Sequence, residues 1–399
     1  MEKTICELFA GVGGFRLGFE KSSKDWKTVW FSQWEPGAKK QWAHDCYVRH
    51  WGDIDNNTGI DIAQVDKNNI PNHTLLVGGF PCQDYSVAQS LSSSHGIEGK
   101  KGVLWWQIKD VLTTKTPPFV LLENVDRLLK SPAKQRGRDF GIILACFASL
   151  GYIVEWRVIN ASDYGAAQRR RRIFIYAYKN NCNYAKALSS FSPLNIIMEK
   201  GFFAKSFPIE PIEKLTNACL NHNDILNISN NFTFNFENAG YMCNGEIYTA
   251  KTTPKKEPFI ALNEIIQQNV PEKYFITKNL EKWQYLKGSK KIERTSKSGH
   301  TYLFSEGAIA FPDPLNMPAR TMLTSESTLN RSTHVILDPQ KEQLRILTPL
   351  EAERIQGFDD YWTDTGMPEK MRYFCMGNAL VVPLITKMAK QLELIIEQE

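Results

Sequence analysis

At 399 residues, 42% hydrophobic and 23% charged, the chain is long enough for one large folded domain plus a smaller one, with an ordinary globular composition. Eight scattered cysteines without a Cys-x-x-Cys pair argue against a disulfide framework and a zinc site, and a net charge of +5 permits a polyanionic partner without demanding one. No apolar run reaches membrane-spanning length and no signal-peptide pattern precedes the first strand, so a cytoplasmic, monomeric protein with no membrane partner and no metal is expected.

In chain order, Thr4 to Phe9 reads as a short buried strand running into the turn Ala10-Gly11-Val12-Gly13-Gly14, with a helix starting at about Arg16. This is a strand, glycine turn, helix unit of the nucleotide-binding type, but not the dinucleotide fingerprint, whose third glycine would fall on Arg16. A second strand, Thr28 to Ser32, ends at Gln33-Trp34-Glu35. Glu35 or Gln33 suits a ribose hydroxyl, and Trp34 offers a flat face to a purine-like ring. Gly52-Asp53-Ile54 reads as the end of a third strand.

Thr74 to Val77 is a buried strand broken off by Gly78-Gly79, which places Cys82 of Phe80-Pro81-Cys82-Gln83 just past a strand's carboxyl end. Pro81 stiffens that turn. A polar loop to Lys101 has the length of a lid, and a helix from Val103 ends before Pro117-Pro118. The apolar run Phe119 to Leu122 ends on Glu123-Asn124-Val125, so Glu123 shares the rim of Cys82 if the sheet is parallel. A helix over 137–150 and a strand over 152–158 lead to Gln168-Arg169-Arg170-Arg171-Arg172, lodged before the strand Ile173 to Tyr178, where guanidinium forks project towards an acceptor.

Near residue 180 the composition turns rich in Asn, Lys and Phe with weak periodicity. The reading is a large domain over 1–180, a smaller one over 181–315 and a return segment, 316–399, completing the first. The basic tract around Lys290, Lys291 and Arg294 suits phosphate contacts. Arg320-Thr321 follows, then a Thr348-Pro349-x-Glu351 helix start, and Gly377-Asn378 opens a final amphipathic helix.

Phe-Ala-Gly-x-Gly-Gly at 9–14, Pro-Cys-Gln at 81–83, Glu-Asn-Val at 123–125, Gln-x-Arg-x-Arg at 168–172, Arg320-Thr321 and Gly377-Asn378 together resemble the C5-cytosine DNA methyltransferases of bacterial restriction-modification systems, in that family's order. The resemblance implies a doubly wound α/β methyltransferase sheet, with 181–315 as the target-recognition domain, and S-adenosylmethionine as donor. It implies double-stranded DNA as partner and a cognate restriction endonuclease alongside. In that scheme Cys82 adds to carbon 6 of a flipped cytosine, Glu123 assists at N3, and Arg170 and Arg172 hold O2 and orient the thiol. Asn124 fixes Pro81. Phe9 stacks on adenine, Gly11, Gly13 and Gly14 pass the methionine part, Trp34 and Glu35 face the adenosine, and Asp53 with Ile54 reads the adenine edge. Asn378 and Ala379 close that pocket, while Gln83 and Ser86 fill the gap left in the duplex. Two alternatives remain within the resemblance: transfer-RNA methylation, which goes with a Cys-Phe-Thr signature that the corresponding stretch, Thr301 to Glu306, lacks, and a catalytically silent nucleic-acid-binding relative, against which the complete Cys82, Glu123 and Arg172 set speaks.

Overall fold

The computed structural model describes residues 1–55, 57–80, 103–296 and 299–399. Its centre is a nine-stranded sheet in the order β2-β1-β3-β4-β6-β5-β8-β9-β7. The strands are β1 (Thr4–Leu8), β2 (Lys27–Ser32), β3 (Leu75–Gly79), β4 (Phe119–Val125), β5 (Tyr152–Asn160), β6 (Arg171–Lys179), β7 (Thr216–Cys219), β8 (Ala239–Cys243) and β9 (Glu246–Ala250). β2, β1, β3 and β4 are parallel, and β6 joins β4 antiparallel. The chain leaves β1 for β2 on one side and returns to β3 on the other, which makes the carboxyl ends of β1 and β3 the switch point where such sheets bind ligands.

The strands read as nearly unbroken apolar runs because both faces are covered. Leu76, Val120 and Leu122 pack with Trp105, Ile108 and Leu112 of α3 (Val103–Lys115) and with α4 (Arg138–Ser149). Leu75, Val77, Phe119 and Leu121 pack on the other face with Phe15 and Phe19 of α1 (Gly14–Glu20). The same layer holds Leu384, Met388 and Leu392 of the last helix, here α8 (Val382–Ile396). The C-terminal helix thus packs into the core on this face of the sheet.

Three sequence readings change. Gly52 to Ile54 form no strand: α2 (Trp42–Trp51) ends there, and Gly52, at φ +80°, turns the chain away. Gly377 and Asn378 do not open the final helix but close the one before it, α7 (Glu369–Asn378). The large sheet also does not stop at 180. β7, β8 and β9, from inside the segment assigned to a second domain, extend it through β5, and Phe202, Phe203 and Phe207 join its core. These strands are four or five residues long and β7 is largely exposed, so no alternating pattern marks them. What leaves the sheet begins after Ala250 and includes α5 (Leu280–Lys287) and a separate two-stranded ribbon, β10 (Lys290–Thr295) with β11 (Thr301–Glu306). A small pair, β12 (Val335–Leu337) and β13 (Leu344–Ile346), precedes α6 (Pro349–Gln356), whose capping box of Thr348 and Glu351 is as the sequence predicts. Among the described residues no helix is long and apolar enough to cross a membrane.

Candidate active site

Gly79 is the β-partner of Glu123, so the chain leaves β3 beside that carboxyl, and the Phe80 amide donates to the Glu123 carbonyl at 3.3 Å. Cys82, Gln83 and Ser86 lie outside the described residues. On the other side of β4, Arg172 stands opposite Val125, two positions from Glu123 and therefore on the same face. Its Nε meets Glu123 Oε1 at 2.9 Å, with both side chains mostly shielded from water. Glu123 Oε2 faces Gly79, where an added Cβ would stand 3.4 Å away. Beside it, Asn124 is buried; its Oδ1 accepts from the Val125 amide, and its Nδ2 has no partner among the described residues.

Arg170 is tied to the return segment. It is buried, its Nη1 and Nη2 donating to the carbonyls of Met322 and Gly377, each at 3.1 Å. Burial, together with the nearby Arg172, pushes its pKa down to about 9. With both Nη atoms on backbone oxygen, Arg170 holds the return segment, and among the described residues it is Arg172 that reaches the carboxyl. Gln168 works alongside it: its Oε1 accepts from the Met322 amide at 3.0 Å, while Ala319 bonds to Ala167 and Arg169. Thr321 Oγ1 donates to the Arg169 carbonyl, and Arg320 is turned away onto Asp313.

The second half of the site lies at the ends of β1 and β2. Phe9 has φ +55°, a left-handed conformation that costs a bulky residue about 1–3 kcal/mol and clusters at ligand sites. Gly11, at φ +57°, has open space in its Cβ direction. Gly13 and Gly14 do not: a Cβ there would come 2.2 Å from Trp51 and 2.9 Å from Leu380. Gly11 therefore faces open space, whereas Gly13 and Gly14 let α2 and the segment after α7 approach the turn. Asn378 and Ala379 lie just before Leu380.

Gln33 is buried, and its Oε1 accepts the Gly11 amide at 2.7 Å. That occupies it as a brace for the turn. The Glu35 carboxyl, half-buried and raised above its ordinary pKa by burial, makes no hydrogen bond or ion pair among the described residues. Trp34 is exposed beside it. Asp53 Oδ1 accepts from Thr58 Oγ1 at 2.6 Å and from the Ile54 amide at 2.9 Å, and the Thr58 carbonyl accepts from the Gln33 amide. Thr58 thus ties the Asp53 loop to β2, a role without any local sequence signal. An open glycine face, a strained aromatic, a free half-buried carboxyl and an oriented Asp suit an adenosine-bearing donor.

A family model described as C-5 cytosine-specific DNA methylase matches residues 3–394. The chain belongs to this family. This cytosine methylase is 54% identical over 397 residues to the type II methyltransferase M.Sau3AI of Staphylococcus aureus, covering 98% of this chain and 95% of that protein. It is 26% identical to M.SsoII of Shigella sonnei, covering 97% and 79% respectively. Solved structures share its fold: the Entamoeba histolytica methyltransferase EhMeth (TM-score 0.59, 15% identity, 98% of each chain covered) and the S. pombe Dnmt2 methyltransferase (TM-score 0.60, 13% identity, covering 99% of this chain and 98% of that one). The enzyme is a DNA (cytosine-5-)-methyltransferase, and the doubly wound fold read from the sequence holds.

Proposed function

We propose that this enzyme methylates cytosine within one short DNA sequence and guards its host's DNA against a cognate restriction endonuclease, with Cys82 as nucleophile, Glu123 as proton donor and Arg172 as the group that orients both carboxyl and base. The Glu123–Arg172 contact beside the end of β3 carries this reading. S-adenosylmethionine, when bound, supplies an electrophilic methyl group on its sulfonium.

Carbon 5 of cytosine is a poor nucleophile, so the chain must first make it electron-rich. The Cys82 thiolate adds to carbon 6, the C5–C6 π pair shifts into the ring, and the Glu123 carboxyl gives its proton to N3. Carbon 5 then takes the methyl group. A base removes the C5 proton, the C6–S bond breaks to restore the thiolate, and the N3 proton returns to Glu123. The target must leave the duplex to reach this rim, which restricts the reaction to flipped or unpaired cytosine.

Arg172 acts by position: its Nε holds Oε1 and its Nη1 donates to the Arg171 carbonyl, leaving Glu123 Oε2 and Arg172 Nη2 for the base. The Nδ2 of Asn124 has no partner among the described residues, and fixing Pro81 is the role we assign to this side chain. At the donor end, Glu35 rather than Gln33 takes the ribose hydroxyls, Asp53 the adenine edge, and Phe9 and Trp34 the ring faces. Asn378 and Ala379 close the pocket.

Expression in a host lacking cytosine methylation, followed by bisulfite sequencing, tests the reading. Protected cytosines in one short motif are expected, and Cys82→Ser should abolish protection while still binding donor. Soluble enzyme that binds donor but protects no cytosine would overturn it.

A further inference from the structure

Val12 sits between two left-handed glycines, Gly11 at φ +57° and Gly13 at φ +86°. Glycine is conformationally permissive, so hydrogen bonds must set the peptide planes of this turn. Three do so. Gln33 Oε1 accepts the Gly11 amide at 2.7 Å, the Ala10 carbonyl accepts the Gly13 amide at 2.9 Å, and the Val12 carbonyl accepts Trp362 Nε1 at 2.9 Å. The first comes from the end of β2 and the second from the turn itself. The third comes from a residue 350 positions away. Among the described residues the peptide between Gly11 and Val12 has no partner, and it lies next to the open space at Gly11.

Trp362 is itself held from several sides. It is buried in the connection between α6 and α7, where Glu353 of α6 accepts from the Thr363 amide and from Arg372 Nη2 of α7, each at 2.9 Å. Its ring lies face to face with His50, the centroids 3.6 Å and the planes 8° apart, and its carbonyl stands 2.8 Å from His50 Nε2. A carbonyl only accepts, so Nε2 carries the proton, and His50 grips Trp362 by both ring and backbone. Trp51, the next residue of α2, meets the Trp362 ring edge-on at 5.3 Å and fills the space beside Gly13. The end of α2 and the return segment thus close on the glycine turn together.

We propose that Trp362 is a positioning residue for the methyl donor: its indole N–H fixes the Val12 carbonyl and so holds the glycine turn in its donor-binding shape before the donor arrives. This rests on the proposed seating of S-adenosylmethionine at Gly11. Without the N–H, the peptide joining Val12 to Gly13 can reorient, and only a fraction of the free enzyme keeps the competent turn. Apparent affinity falls by that fraction, while the bound complex is unchanged once formed. The indole therefore acts on donor binding and not on the chemical step. His50 acts one contact further out, through Trp362, and its effect is smaller.

The test is Trp362→Phe, which keeps an aromatic ring against His50 and removes the N–H. Titration calorimetry with S-adenosylmethionine, well below the melting temperature, should show affinity weakened about 5- to 100-fold, as for loss of one hydrogen bond to a buried carbonyl. The donor KM should rise by a similar factor, with kcat at saturating donor and the KM for DNA within about twofold of wild type. His50→Ala, at an exposed site, should weaken donor affinity about 2- to 5-fold and carries the test if Trp362→Phe does not fold. A lowered melting temperature with donor affinity unchanged would make the indole a packing group and overturn the proposal. A loss of kcat at unchanged donor affinity would overturn it too. If Gly11→Ala binds donor as tightly as wild type, the donor does not sit at this turn, and the proposed seat falls first, with this inference after it.

Discussion

Arg172 Nε and Glu123 Oε1 stand 2.9 Å apart across two antiparallel strands, next to the point where β3 ends two residues short of Pro81. In the proposed reaction the pair joins the carboxyl that serves N3 to the group that aims it, and removing either partner should separate the two tasks. Glu123→Gln keeps the shape and loses the transferable proton. Methyl transfer in single turnover should fall about 10²- to 10⁴-fold while DNA and donor still bind. Arg172→Lys keeps charge without the fork and should cost about 10- to 100-fold, the worth of one charge-assisted hydrogen bond. Rates within twofold of wild type would remove the pair from the chemistry.

Arg170 makes a different prediction because its Nη atoms both serve the return segment. Arg170→Ala leaves the carbonyls of Met322 and Gly377 without donors, at about 1–3 kcal/mol each. Thermal stability and donor affinity should drop together. Calorimetric titration with S-adenosylmethionine beside a melting curve reads both, and a purely kinetic defect with unchanged melting would contradict the clamp.

Two glycines should fail in separable ways. At Gly377 an added Cβ would lie 2.4 Å from the backbone of Leu323 and Thr324, so Gly377→Ala must push two segments apart and should cost about 1–3 kcal/mol in a denaturant titration. Gly11→Ala meets no protein atom within 4 Å. Its stability loss should be smaller, from the left-handed backbone alone, while its affinity for donor falls more steeply than its stability.

Glu7, on β1 beneath the glycine turn, is fully buried with Tyr47 donating to Oε2 at 3.1 Å. Burial raises its pKa from 4.5 to about 8, with Tyr47 and Arg16 opposing the shift. The folded chain therefore holds a proton that the unfolded chain releases in that window. This contribution to stability is full below about pH 4.5 and is lost as the pH rises towards 8. Melting temperatures between pH 5 and 8.5 should decline in the wild type and decline less in Glu7→Gln. An equal slope in both would place the effect elsewhere.

The amino-acid sequence by itself determined the parallel half of the sheet, the placing of Glu123 on its rim and the membership of a methyltransferase family. Those features are local: unbroken apolar runs of strand length, glycine turns, and polar groups at the ends of such runs. The capping box at Thr348 was legible for the same reason. Only the tertiary structure decided which partner each of several candidate side chains meets. Gln33 and Glu35 are two residues apart and equally suited on paper, but Gln33 Oε1 is taken by the Gly11 amide, which leaves the carboxyl. Arg170 and Arg172 share a motif, yet one is spent on carbonyls more than 150 residues away in sequence and the other on its sheet neighbour. The sheet's far edge was hidden because four- and five-residue strands carry too few side chains to show a period. The brace on the glycine turn was hidden because Trp362 and Val12 meet only once the chain has folded back. Side-chain type is written in the sequence; which partner satisfies a buried polar group is settled by packing.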